Sequence, residues 1–278
     1  EDRFDRRAFR ARLDWLSSFD VVGQFIAGGA GEFFSLQEDE FVDSMRIAVE
    51  ARRPGQLAIG AAGYGTSAAI RLARHVEEAG ADGLLLLPPY LTEASQQGLF
   101  EHIRAICAST RLGVIVYNRA NCRLSAETVL RLADACPNLI GIKDGIGDTE
   151  ELLRMRALAG DRLVFVNGMP TAEIYAQAFG GMGIPTYSSA IFNFIPEAAL
   201  AFHDAVARRD EREIGAFLTT FLLPYSRIRG RQPGYAVSII KAGAKIVGRS
   251  AGAVRPPLSD LTEAEQQDLR DLIAKVHK

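Results

Sequence analysis

The chain has 278 residues, of which 48% are hydrophobic and 24% charged, and a formal net charge of −2. That is room for one large α/β domain or two small ones, and the near-neutral balance gives no electrostatic case for a nucleic-acid or anionic-membrane partner. No apolar run approaches the ~20 residues of a membrane span, and the charged stretch 1–12 lacks the apolar segment of a signal peptide. The three cysteines, Cys107, Cys122 and Cys136, show no metal-ligand spacing and suit packing roles in a reducing compartment. The histidines His75, His102, His203 and His277 fall in helical segments without a His-x-His or His-Glu-x-x-His pattern, which argues against a metal hydrolase.

A helix is predicted over 6–16, after which short apolar runs alternate with amphipathic segments. The predicted strands are 21–27, 57–61, 83–87, 113–117, 139–143, 163–166 and 184–187. Helices are predicted between them at 36–52, 67–79, 95–109, 125–135 and 149–159. Their N-caps fall at Thr66 or Ser67, Ser95, Ser125 and Thr149, and Gly80 reads as a C-cap. Beyond residue 195 the pattern is helical throughout: 196–208, 211–228, 235–247 and 262–276. Repeated βα units imply a parallel sheet covered by helices. Glycine or a polar group stands at most strand ends, at Gly28, Gly29, Asn118, Lys143, Asn167 and Ser188. A (β/α)8 TIM barrel builds its site from many strand ends, whereas an open doubly wound sheet binds at one switch point, so the barrel is favoured. The expected organisation is a barrel over 1–208 and a C-terminal helical extension over 209–278, packed as a single structural unit. No strand precedes the opening helix, so the first barrel strand is expected to be absent from this chain and to lie in about 20–30 further residues of the natural protein.

Lys143 is the most informative residue, a lone cation ending the apolar run Leu139-Ile140-Gly141-Ile142. Burial favours its neutral amine, a nucleophile able to form a Schiff base with a ketone. The competing reading is a strand-end lysine paired with Asp144 at the surface. Tyr117 ends the preceding strand, where its hydroxyl could relay protons or simply complete a core tyrosine. Gly28-Gly29-Ala30-Gly31-Glu32 exposes successive backbone N–H groups that suit a carboxylate, or forms a tight βα turn and nothing more. It lacks the third glycine of a dinucleotide fingerprint and the Lys-Ser/Thr of a phosphate-binding loop. Ser188, Ser189 and Asn193 could hold a polyhydroxy acid or cap a helix. Arg123 could pair bidentately with a carboxylate or sit on the surface. Gly168, past the strand at 163–166, completes the substrate-binding candidates with Gly29, Ala30, Arg123, Ser188, Ser189 and Asn193.

Taken together, the Gly-x-x-Gly-Glu turn at 28–32, Tyr117-Asn118 and Gly141-Ile142-Lys143-Asp144 resemble the dihydrodipicolinate synthase/N-acetylneuraminate lyase family of Schiff-base aldolases and lyases, over essentially the whole chain. Within that family, Gly31-Glu32-Phe33-Phe34-Ser35-Leu36, the stretch 84–96, Tyr117-Asn118-Arg119, the stretch 187–196 and Gly234-Tyr235-Ala236-Val237-Ser238 are similar to the branch that dehydrates a keto-deoxy sugar diacid. The resemblance implies Lys143 as the Schiff-base residue, Tyr117 as the proton relay, no metal or organic cofactor, and a cytoplasmic homo-oligomer, a dimer or a tetramer built from dimers. Two departures stand out. Leu91 occupies the place of the synthases' second tyrosine, and Gly29 and Ala30 occupy places where threonine is common.

The implied reaction dehydrates and decarboxylates 5-dehydro-4-deoxy-D-glucarate to 2,5-dioxopentanoate, CO2 and water, a step of D-glucarate catabolism. One alternative is a class I aldolase of the same family that cleaves a 2-keto-3-deoxy sugar acid to pyruvate and an aldehyde. Another is a ligand-binding barrel without catalysis.

Overall fold

The computed structural model describes residues 3–91 and 93–276; Thr92 and His277 lie outside the described residues. In chain order these form α1 (Arg6–Leu16), β1 (Gly23–Ile26), α2 (Glu38–Ala51), β2 (Leu57–Ala62), α3 (Thr66–Glu78), β3 (Gly83–Leu86), α4 (Gln96–Cys107), β4 (Gly113–Asn118), α5 (Ala126–Ala135), β5 (Leu139–Asp144), α6 (Thr149–Ala159), β6 (Val164–Asn167), α7 (Ala176–Gly181), α8 (Pro196–Arg208), α9 (Glu211–Phe217), α10 (Leu223–Arg229), α11 (Tyr235–Ile246) and α12 (Glu263–Val276). They pack into two compact units, one of Asp20–Gly28 and Gln37–Met169, the other of the residues up to Phe19, Gly29–Leu36 and the residues from Pro170 on. Neither unit has a boundary at residue 208.

The first unit holds all six strands, parallel and hydrogen-bonded in sequence order from β1 to β6. No reversal of order marks a switch point, which separates this sheet from a doubly wound one. Leu84, Leu85 and Leu86 are all buried, because a parallel sheet is covered on both faces. On α3 the buried residues Ala69, Leu72, Ala73 and Val76 follow the i, i+3, i+4, i+7 stripe of a helix with one face on the sheet. The other face of the sheet carries Phe25, Ile59, Leu85, Ile115 and Tyr117 in one apolar cluster. Curvature follows from one contact. Four strand spacings separate β1 from β5, about 19 Å in a flat sheet. Lys143 Nζ on β5 nonetheless sits 4.5 Å from the ring centroid of Phe25 on β1. The sheet therefore curls until that face looks onto itself.

A register shift between Val114 and Ile115 decides which side chain faces Tyr117. Val114 pairs with Leu139 but Ile115 pairs with Gly141, leaving Ile140 without an opposite residue. Without that extra residue Tyr117 would oppose Ile142, and Lys143 would lie out of step with it. With it, Tyr117 and Lys143 are partners in the ladder.

The second unit is helical. Phe202, Phe217, Phe221 and Tyr225 form a continuous row of rings with centroids 5.2, 5.4 and 5.7 Å apart. Several expectations are corrected here. Residues 184–187 form no strand: Pro185 cannot donate to a ladder, and only Tyr187 makes an isolated bridge. The helix expected over 211–228 is α9 and α10 joined by a π turn at Leu218–Leu222. Pro224, at the start of α10, lacks the N–H that an uninterrupted helix needs. The short α7 was not predicted, since Gly180 and Gly181 lower its propensity. In the first unit Ser95 and Ser125 cap α4 and α5 as expected, whereas Gly65 and Asp148 take the cap positions expected at Thr66 or Ser67 and at Thr149.

Candidate active site

Lys143 is 8% exposed, near the C-terminal end of β5. Its ammonium nitrogen lies 4.6 Å from the Tyr117 ring centroid and 4.5 Å from that of Phe25. Burial first, and the charge of Arg119 second, push its pKa down to about 8. The surface-pair reading fails on geometry. Strand alternation turns Asp144 away from Lys143. The carboxylate of Asp144 is itself buried, accepting hydrogen bonds from Asn118 Nδ2 at 2.8 Å and Gly147 N at 2.9 Å. Burial raises the Asp144 pKa. Among the described residues no carboxylate forms an ion pair with Lys143.

The Tyr117 hydroxyl is fixed from two sides. It donates to the carbonyl of Gly168 at 2.7 Å and accepts from Arg119 Nη1 at 2.9 Å. Gly168 follows β6 and permits the approach: a Cβ there would stand 2.6 Å from Lys143 Cγ, 2.8 Å from Lys143 Cε and 3.0 Å from Tyr117 Cε2. No side chain larger than hydrogen fits without moving the lysine. The structure thus brings together three of the residues singled out in the sequence, Lys143, Tyr117 and Gly168. It adds Arg119, the third residue of the Tyr117-Asn118-Arg119 motif, to which the sequence alone assigns no role. One further step of strand alternation past Tyr117 would have found it.

Arg123 is not brought to this cluster. Its guanidinium is largely exposed and pairs with Asp148 at 3.3 Å. The remaining candidates belong to the helical unit. Gly29 and Ala30 lie exposed in a turn, and among the described residues neither backbone N–H donates a hydrogen bond. Glu32 anchors that turn with a left-handed backbone, φ 55°. Its buried carboxylate pairs with Lys241 and accepts from Arg255 N at 3.0 Å. Ser189 donates to Glu173 and accepts from Phe192 N at 3.0 Å, so its hydroxyl holds the short helix Ile191–Asn193. The Asn193 amide donates to Ala190 O at 3.1 Å and accepts from Arg12 Nη2 at 3.0 Å. Ser188 is half-buried.

Comparison with known proteins identifies the family and the fold. The model of the dihydrodipicolinate synthetase family matches residues 1–276. A protein of Saccharopolyspora erythraea named probable 5-dehydro-4-deoxyglucarate dehydratase is 54% identical over 97% of this chain and 87% of its own length. One of the same name from Bradyrhizobium diazoefficiens is 52% identical over 98% of this chain and 87% of its own length. Among solved structures, dihydrodipicolinate synthase of Oceanobacillus iheyensis superposes with a TM-score of 0.88 at 23% identity, over 98% of this chain and 90% of that one. The synthase of Bacillus clausii gives 0.88 at 24%, over 98% and 91%. At that identity the likeness shows the fold, a (β/α)8 barrel. With the family model spanning nearly every residue and relatives above 50% identity over almost the full length, the chain belongs to the dihydrodipicolinate synthetase family.

Proposed function

We infer that this enzyme is a lyase that dehydrates and decarboxylates 5-dehydro-4-deoxyglucarate, giving 2,5-dioxopentanoate, CO2 and water, by a Schiff base on Lys143. The observation that carries the lysine's role is its amine, buried against two rings with no carboxylate partner among the described residues and with a lowered pKa. At pH 7 a pKa near 8 leaves roughly a tenth of the amine neutral, against about 1 in 3,000 for an unperturbed lysine. The choice of substrate rests on the relatives of the same name.

Neutral Lys143 adds to the C5 ketone and loses water to form an iminium. The iminium acidifies C4–H; loss of that proton gives an enamine, which expels the C3 hydroxide. The product is a conjugated iminium spanning nitrogen, C5, C4 and C3. Breaking the C1–C2 bond then releases CO2, and its electron pair moves through C2, C3 and C4 to nitrogen. Protons return at C4 and C3, the C2 enol becomes an aldehyde, and hydrolysis frees the lysine. One amine serves both steps as the electron acceptor, so the scheme needs no metal or organic cofactor. Tyr117 moves the protons, a role supported by its ring 4.6 Å from the amine and by a hydroxyl fixed by Gly168 and Arg119. Gly29 and Ala30, whose backbone N–H groups donate no hydrogen bond among the described residues, are the candidates for a substrate carboxylate. Ser188, Ser189 and Asn193 are the candidates for the hydroxyls, and Gly168 keeps room for the adduct.

The same reading makes the protein a homo-oligomer, dimer or tetramer, acting in the cytoplasm, with 209–278 an extension of the barrel. Exposed Tyr90 and Leu91 support self-association, and among the described residues no helix is long and apolar enough to cross a membrane. Mixing purified enzyme with the keto diacid and following both products tests the function. Stoichiometric CO2 without pyruvate is expected. Pyruvate without CO2 would make it an aldolase, and saturable binding without turnover a ligand-binding barrel.

A further inference from the structure

The lysine has a cationic neighbour, Arg119, that no carboxylate balances among the described residues. Arg119 follows Tyr117 by two residues, on the same side of the chain. Its Nη1 donates to the phenol oxygen at 2.9 Å, and its guanidinium carbon lies 5.7 Å from the Tyr117 ring centroid. Lys143 Nζ lies 4.6 Å from the same centroid. Two cations thus share one aromatic ring. Arg119 is half-buried and, among the described residues, forms no ion pair. Asp144, close in the chain, is committed to Asn118 and Gly147 on the other side. Adjacent cations without an anion repel each other in the empty protein, and a site retains such a pair when the anion arrives with the ligand.

We propose that Arg119 binds the substrate carboxylate remote from the ketone, and so makes the site select a keto diacid over a keto monoacid. The proposal rests on the Schiff-base reading above and assigns the substrate's second charge. A guanidinium presents a planar fork that fits a carboxylate bidentately. Gripping C1 in that fork also restricts rotation about C2–C3, so that the C1–C2 bond can align with the conjugated iminium into which its electrons pass. The charge of Arg119 has a second effect. It disfavours the ammonium form of Lys143, so neutral substitution at 119 moves the lysine's titration to higher pH.

Borohydride trapping of the iminium tests this with three keto acids: the keto-deoxy diacid, the monoacid that carries an alcohol in place of its remote carboxylate, and pyruvate. In the unsubstituted enzyme the diacid should be trapped at a far lower half-saturating concentration than the monoacid. Measured above both acid limbs, R119Q should raise that concentration for the diacid roughly 10–100-fold more than for the monoacid, the worth of a lost charged hydrogen-bond pair. R119K should fall between. The acid limb of pyruvate trapping should move to higher pH in R119Q and stay in place in R119K. Equal weakening of diacid and monoacid, or an unchanged diacid, overturns the role of Arg119 while trapping itself still supports the lysine. If the unsubstituted enzyme traps none of the three, the Schiff-base reading falls and this proposal with it.

Discussion

Replacing Lys143 by methionine should abolish activity and stabilise the fold. Methionine keeps the length and most of the volume of the side chain, so packing against Phe25 and Tyr117 survives. What goes is a buried charge. The amine titrates near 10.5 when unperturbed and near 8 in the fold, a difference of 2.5 units. At 1.36 kcal/mol per unit that is about 3 kcal/mol of destabilisation wherever both states carry the ammonium, which means below pH 8. Between pH 8 and 10.5 the folded amine is neutral while the unfolded one still binds a proton, so stability of the parent rises with pH. Above 10.5 the penalty is gone. Lys143→Met should therefore gain about 3 kcal/mol at pH 7, or roughly 6–12 °C in Tm at 2–4 °C per kcal/mol for a chain of this size. The gain should shrink to near nothing by about pH 10.5. Scanning calorimetry of both proteins at pH 7, 9 and 10.5 measures it. A variant that is less stable than the parent at pH 7, or whose advantage does not fade with pH, refutes the reasoning, because the amine would then be solvated or paired.

Three further substitutions probe the surroundings of that amine and of the turn. Tyr117→Phe keeps the ring beside Lys143 but removes the hydroxyl held by Gly168 and Arg119; turnover should fall about 10²–10⁴-fold with an unchanged circular dichroism spectrum. Gly168→Ala places a methyl group 2.6 Å from Lys143 Cγ and 2.8 Å from Cε, so it should cost about 1–3 kcal/mol by denaturant titration and abolish turnover by displacing the amine. Glu32→Gln leaves Lys241 without its buried partner while the backbone of Arg255 keeps an acceptor; unfolding should show about 3 kcal/mol lost, with a raised KM if the turn it anchors holds the substrate's carboxylate.

Six of the seven predicted strands are present, because each is a short apolar run bounded by turn residues, and a parallel sheet writes itself plainly in that form. The seventh run, 184–187, carries hydrophobic residues but also Pro185, and the missing donor outweighs the pattern. Lys143 and Tyr117 were legible for one reason: a polar group closing a buried strand needs an account of its hydrogen bonds or charge. That they meet was not legible. Leu139 to Ile142 reads as an even strand, and nothing in its residue types marks Ile140 as the extra residue that sets the register. Ser189 and Asn193 show the reverse limit. Their side chains suit a sugar acid by type, but the partners the fold also gives them, Glu173, Phe192, Ala190 and Arg12, are distant in sequence or invisible to local pattern. Arg119 was missed because Arg123, on the following loop, drew the assignment; the strand period distinguishes the two, since only Arg119 continues the face of Tyr117.

The central claim is a covalent bond between the substrate ketone and one nitrogen. Borohydride added during turnover, followed by peptide mass spectrometry, measures it directly. A single reduced adduct on the peptide that contains Lys143, formed in step with loss of activity, is the expected result. Full turnover in the presence of borohydride with no adduct on that peptide, or an adduct on another lysine, would contradict the account.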